Sequence, residues 1–381
     1  MVAGPVLARN LGDLGAEVIK VEHPVHLDPL RRFGWEVDGV SLWWKTVSRN
    51  KLPITLDLSQ PQGAELALSL AAQCDVVVES FRPGTLERWG LAPALLLERR
   101  PDQIIVRVSG FGQTGPYAPR PGFGTLAESI SGYAGMQGVE GGPPQLPAFP
   151  LADETAAAYG TMATLAALLH RERSGEGQIV DVSLFEPLFA ALGPLPALYD
   201  LTGQEAPRLG NRMPFTAPRG AYQTADGRWL AMSGTSPAVA SRILAVVGGP
   251  ELVADPRFAD NAARLQHAEE LDDVIAQWVA QHSLAEALAA FDAAEAAVAP
   301  VYRMADAFAD PHFAARNTIV RVADDELGSV AMADVVPRMS ATQGRVRWAG
   351  APAGSANERV FGGLLGLAAA ELNALADAGV I

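Results

Sequence analysis

Short apolar runs alternate with segments of helical spacing through the first half of the chain. "AEVIKVE" (16–22) and "PITLDL" (53–58) read as strands. "PQGAELALSLAAQC" (61–74) has helical spacing and leads straight into the strand "DVVVES" (75–80). "TLERWGLAPALLLERR" (85–100) predicts a helix and "QIIVRVS" (103–109) the strand that follows it. "ETAAAYGTMATLAALLHRER" (154–173) predicts a long helix, ended by "SGEGQ" ahead of the strand "IVDVS" (179–183). Strands separated by helices predict an α/β chain with a mostly parallel sheet and helices on both faces. Ligands of such sheets bind in the crevice beyond the carboxyl ends of the strands. Residues 110–150 break the alternation with many Gly and Pro, and so long an irregular stretch in a compact domain is usually functional. Beyond residue 228, "PAVASRILAVV" and "LDDVIAQWVAQHSLAEALAAFDAA" predict helices of a second, smaller domain. "LLGLAAAELNALADAGVI" predicts a C-terminal helix returning to the first.

Composition narrows the function classes. A chain of 381 residues suits two domains or one large α/β unit. Hydrophobic residues make up 49% and charged residues 19%, which argues for a folded enzyme and against disorder. The formal net charge of -14 disfavours nucleic acid as a partner, because phosphate neutralisation needs a basic face. Only Lys20, Lys45 and Lys51 are lysines, so an anionic ligand would be met mainly by arginines and backbone N–H groups. The lone Cys74 excludes an intrachain disulfide and a cysteine-based metal cluster, and the six histidines lack metal spacing, so no metal is expected. No run reaches membrane-spanning length and "MVAGPVLARN" lacks a basic leader region, so a soluble, cytoplasmic protein without membrane partners is expected.

The candidate chemistry lies in three places. "GFGQTG" matches G-x-G-x-x-G at Gly110, Gly112 and Gly115, after a predicted strand. Dinucleotide binding also needs a helix opening within the motif and an acid about 20 residues on. "PYAPRPGFG" follows instead, which favours a Gly-rich active-site loop over an NAD-dependent oxidoreductase. "VVVESFRPGTLERWG" (76–90) ends a strand, turns tightly and opens a helix, with Arg82 and Arg88 close by. An anionic phosphate ligand and a solvated arginine pair both fit that stretch. No phosphate-binding loop of the G-x-x-x-x-G-K-[ST] type and no G-x-S-x-G elbow occurs, which leaves a carboxylate as the nucleophile. Asp153 opens the long helix in "PAFPLADETAAAYG". It reads first as an N-cap, a role compatible with that of an ionised, poorly hydrated carboxylate able to attack an activated acyl group.

Several segments together resemble the class III (CaiB/BaiF-type) coenzyme A transferases, a family that also holds acyl-CoA racemases. They are "AGP" (3–5), "LGDLGAEVIKVE" (11–22), "SRNKLPITLDL" (48–58), "DVVVESFRPGTLERWGL" (75–91), "VSGFGQTGPYAPRPGFG" (108–124), "LADETAAAYGTMATLAAL" (151–168) and "RSGEGQIVDVSL" (173–184). The resemblance implies a large Rossmann-like CoA-binding domain from residues 1–200 and 325–381 and a smaller α+β domain at 215–320. Linkers at 201–214 and 321–324 would join them, and two ring-like subunits would interlock as a homodimer. It implies Asp153 as the catalytic residue, transferring CoA between carboxylic acids through an aspartyl anhydride and an aspartyl-CoA thioester. Acyl-CoA would be a substrate and no cofactor would be tightly bound. CoA contacts implied by the resemblance are Val2, Ala3, Leu56, Ser80, Phe81, Arg82, Arg88, Arg120 and Phe123. Arg120 also has the chemistry to pair with the far carboxylate of a dicarboxylic substrate. The "RPGFGTLAE" loop is most similar to members acting on short dicarboxylates such as mesaconate, succinate or itaconate relatives. The racemase branch places a histidine where this chain has Phe123 and Gly124, which demotes that alternative. The family also carries a strand before "AGP", where this sequence starts at the loop: either the start is truncated or misassigned, or the sheet lacks a strand and a neighbouring strand is partly uncovered.

Overall fold

The computed structural model describes all 381 residues and is a mixed α/β structure with mostly parallel pairing in its larger part. Two compact units make up the chain. The first holds residues 1–133, 146–193 and 314–381, and the second 134–145 and 194–313.

The first unit contains two parallel ribbons. Strand β1 (Val18–Glu22) pairs in register with β2 (Lys51–Thr55). Strands β3 (Val76–Glu79), β4 (Ile104–Ser109) and β5 (Gln178–Ser183) pair in that spatial order. All six residues of β4 are buried, as expected of a central parallel strand covered on both faces. No strand joins β1 to β3, so the expected continuous sheet is interrupted between them, and both strands are only partly buried. The chain from "AGP" is not loop: Ala3–Asp13 form helix α1.

The predicted long helix is helix α3 (Leu151–Ser174), stopped by the left-handed Gly175. Its buried face is made of small residues, Ala156, Ala157, Gly160, Thr164 and Ala167, which lets α1 approach closely. Val6 and Leu7 of α1 are fully buried in that contact, each worth roughly 1.5–3 kcal/mol of transfer free energy. The same core takes in Ile104, Val106, Val108 and Val182 from the strands. It fixes the start of α1 against the start of α3.

The irregular stretch after β4 is less irregular than its composition suggests, because it contains helix α2 (Gly124–Ile130) and a short turn of helix at Tyr133–Met136. The helix expected over 85–100 is two pieces, Thr85–Arg88 and Pro93–Arg99, separated by the left-handed Gly90. The C-terminal helix is likewise cut by the left-handed Gly366 into Gly363–Leu365 and Ala369–Asp377. In each case an apolar period continues across a glycine whose conformation ends the helix.

The second unit pairs an antiparallel three-stranded sheet, β6 (Arg219–Gln223), β7 (Trp229–Ser233) and β8 (Val298–Pro300), with helices. These include α4 (Pro237–Val253), α5 (Ala268–Val279) and α6 (Leu284–Ala293), which enclose a core around Ile243, Leu271, Ile275 and Phe291. The segment read as one helical pattern over 271–294 breaks at Ser283, which forms a capping box with Glu286. No helix is long and apolar enough to cross a membrane.

Candidate active site

A cleft of about 880 Å³ opens in the first unit, where the loops after β3 and β4 meet the starts of α1, α2 and α3. Its walls carry Val2, Ala3, Ser80, Phe81, Arg82, Arg120, Phe123 and Asp153, eight of the ten residues singled out from the sequence. The remaining two are not brought there. Leu56 is 1% exposed and packs in the core with Ile54, Val360 and Phe361, so its side chain is not open to a ligand. Arg88 lies on the surface with its guanidinium on the Thr85 hydroxyl at 3.0 Å.

Asp153 does not cap its own helix. Pro150 occupies the N-cap of α3, and Asp153 is the third helical residue. Its Oδ1 instead accepts from the N–H of Ala3, the first residue of α1, at 3.1 Å. That N–H is one of the orphan donors at a helix start, and Val2 offers it no side-chain cap. The carboxylate is therefore a cap supplied across the core to another helix, 8% exposed and with one hydrogen bond to share between two oxygens.

The other oxygen, Oδ2, lies against residue 124. A Cβ on Gly124 would overlap it, so only glycine lets the α2 backbone pass this close. The N–H groups of Gly124 and Thr125 have no intrachain acceptor and line the same cleft. The loop leading to them is compressed in a second place. Gly110 and Gly122 cross with no side chains between them, a Cβ on either falling 2.5 Å from the other's Cα. The loop is anchored by Gln113, whose N–H reaches Asp181 at 2.8 Å. Thus the glycines of "GFGQTG" serve a backbone crossing, and no helix opens within the motif.

A second carboxylate was not legible in the sequence. Glu128 of α2 lines the cleft, is 3% exposed, and accepts from the Ala152 N–H at 3.2 Å. It takes a donor at the start of α3 that would otherwise lie free beside Asp153. Burial pushes the Asp153 carboxyl above its ordinary value, the Ala3 N–H opposes this, and Glu128 and Glu154 add to it. A raised carboxyl is also a more basic, more nucleophilic carboxylate once ionised.

The sign of the resulting pH dependence is fixed. The folded state holds the Asp153 proton to higher pH than the unfolded chain does. The inactive, protonated form therefore persists further, and the acid limb of kcat/KM is expected above the range of an ordinary aspartate. A rate profile in a constant-ionic-strength buffer series checks this, and a limb at or below that range would contradict it.

The wall formed by residues 80–82 is held from beneath. Glu79 and Arg107 are direct register partners on β3 and β4, and Arg107 Nε meets Glu79 Oε1 at 2.7 Å. Glu79 Oε2 accepts from the Phe81 N–H at 2.8 Å, and Arg107 reaches on to Glu87 at 2.9 Å. Phe81 then packs edge-on to Trp89, ring centres 5.0 Å apart. Arg82 and Arg120 line the cleft with no carboxylate partner; Arg120 instead lies 3.8 Å over the ring of Tyr117. Phe33, Trp35, Trp43 and Phe149 add aromatic surface, and no histidine lines the cleft. The site is thus an aromatic cleft with two free arginines and two nearly buried carboxylates side by side.

Comparison with known proteins gives the family. The pattern of CoA-transferase family III matches residues 1–357. A succinyl-CoA–D-citramalate CoA-transferase of Chloroflexus aurantiacus is 41% identical over 367 residues, covering 96% of this chain and 91% of that protein. The beta subunit of a succinyl-CoA–L-malate CoA-transferase from the same organism is 38% identical over 385 residues, covering 100% of this chain and 95% of the relative. Among solved structures, a CaiB/BaiF family protein from Brucella suis superposes with a TM-score of 0.84 at 29% identity, over 97% of this chain and 96% of that one.

Proposed function

The chain belongs to CoA-transferase family III and is an enzyme that transfers CoA; from that premise we propose that Asp153 carries the transfer covalently, between short dicarboxylic acids. The observation that supports this reading is the placement of Asp153: a nearly buried carboxylate, singly hydrogen-bonded, at the floor of a cleft large enough for a thioester.

With Oδ1 held by Ala3, Oδ2 is the attacking oxygen. It adds to the thioester carbonyl of the donor acyl-CoA, the C–S bond breaks, and CoA leaves as thiolate, giving an aspartyl–acyl anhydride. The thiolate then attacks the Asp153 carbonyl and releases the donor acid as its carboxylate, leaving an aspartyl-CoA thioester. An acceptor carboxylate attacks that thioester to form a second anhydride, and the returning thiolate takes the new acyl group and frees Asp153. Each step exchanges one activated acyl bond for another, so no ATP is needed and no proton is gained or lost. The unbonded N–H groups of Gly124 and Thr125, at the same wall of the cleft, would be donors for the oxyanions formed on the way.

The Rossmann-like large domain would carry the nucleotide part of CoA over the 80–82 loop, with Arg82 toward its phosphates and Phe123 flanking the pantetheine. A homodimer agrees with the outer face of α3, where Tyr159, Met162, Leu165 and Leu169 form an exposed apolar stripe at helical spacing. The racemase alternative gains nothing from the cleft, since a second base on the opposite face of the α-carbon would be needed and no histidine lines it.

The test is CoA exchange. Succinyl-CoA with a panel of unlabelled dicarboxylates should yield new acyl-CoA products without nucleotide; solvent deuterium entering the α-carbon without exchange would favour racemisation instead. Arg120→Ala is expected to raise KM for dicarboxylate acceptors by about ten-fold or more while leaving monocarboxylates unaffected. Unchanged acceptor preference would remove Arg120 from substrate recognition.

A further inference from the structure

Asp153 and Glu128 converge on the same residue. A Cβ on Gly124 would overlap Asp153 Oδ2 and lie 3.9 Å from Glu128 Oε1, so two carboxylates from different helices share one small space. Both are nearly buried. Glu128 is tied by Oε1 to the start of α3, and its Oε2 has no hydrogen-bond partner in the chain. A structural cap on Ala152 needs only a neutral acceptor, which glutamine would supply without placing a second negative charge beside the nucleophile.

We propose that Glu128 is a positioning and charge-tuning residue for Asp153. It withholds an N–H of α3 from the nucleophile's surroundings and brings a second carboxylate against it, destabilising the free carboxylate relative to the acylated form. The inference deepens the transfer reading above and rests on it. When Asp153 Oδ2 forms its bond to the acyl carbon and the C–S bond breaks, the negative charge leaves the aspartyl group with the thiolate. Repulsion from Glu128 is present before that step and relieved after it, so the residue accelerates loading of Asp153. It favours in the same way each later step that keeps Asp153 acylated, and slows only the final return to free carboxylate.

The other charges around the pair are accounted for. Arg9 of α1 is engaged with Glu154 at 3.4 Å. Glu186, beside the end of β5, is bonded by Ser183, and Asp181 on β5 is bonded by Gln113. Arg82, Arg120 and the Met1 ammonium line the same cleft and are common to parent and variant. Glu128 is thus the neighbour whose charge can be removed with its hydrogen bond kept.

The experiment compares Glu128→Gln with the parent in protein carrying carbon-13 in its aspartate carboxyl groups, with Asp153→Asn to identify the resonance. The Asp153 titration midpoint is expected to move down by about one pH unit in Glu128→Gln, and the burst of free succinate released on mixing with succinyl-CoA should slow several-fold. An unmoved midpoint overturns the proposal whether or not the protein transfers CoA, since the titration needs no turnover. A moved midpoint with no succinate burst from the parent upholds the tuning and refutes covalent transfer. Glu128→Leu removes charge and cap together. If it loses the burst while Glu128→Gln matches the parent in both readouts, Glu128 is only a cap and the proposal is wrong.

Discussion

Asp153→Asn is expected to abolish CoA exchange, by at least about a thousand-fold, in a protein no less stable at neutral pH than its parent. An asparagine oxygen can still accept from the Ala3 N–H, so the link from α3 to α1 survives. What disappears is the anionic oxygen that the proposed transfer uses to attack the thioester. The stability claim follows from the burial of the carboxyl. Because folding raises the Asp153 carboxyl, the parent's stability from this group is complete at acid pH and is lost as pH rises through the folded-state value. Asparagine carries no such loss. The difference in Tm between variant and parent should therefore be near zero in acid and grow in the variant's favour toward neutrality. A variant that is markedly less stable at pH 7 would mean the carboxylate is a structural necessity.

Gly124→Ala is expected to have the second largest effect, roughly a hundred-fold loss of turnover from a single methyl group. The added carbon has no room beside Asp153 Oδ2. Gly124 sits in an ordinary helical backbone conformation at the start of α2, so the penalty is steric and not one of strained dihedrals. Either the carboxylate rotates away from its Ala3 partner or α2 retreats and takes Glu128 with it. Both outcomes misplace the attacking oxygen. Circular dichroism should remain unchanged while kcat falls more than KM rises. Near-parental kcat would show that the close approach of Gly124 to the nucleophile has no part in the chemistry.

Much of the fold was legible because the strands are short, apolar and separated by strongly periodic helices. β4 and α3 stand almost where their hydrophobic patterns put them. The breaks at Gly90 and Gly366 were missed because apolar period runs on across each glycine and only the backbone angle ends the helix. Helix α2 was hidden in a Gly/Pro-rich stretch, and with it the fifth residue of "GTLAE", Glu128, which sequence spacing alone places next to nothing. The Glu79–Arg107 pair is a matter of strand register, which no linear pattern records. Asp153 was legible as a residue of two possible roles. The structure separates them in an unexpected way, since the cap it forms belongs to α1, 150 positions earlier in the chain. Leu56 lies in a matching segment, yet its side chain belongs to the core.

The most direct measurement is the mass of the peptide containing Asp153 after the protein is mixed with succinyl-CoA and quenched with hydroxylamine. Covalent transfer predicts conversion of that one side chain to its hydroxamate, dependent on the thioester and absent from Asp153→Asn. Sustained CoA exchange with this peptide unmodified, or with the adduct on another residue, would contradict the account.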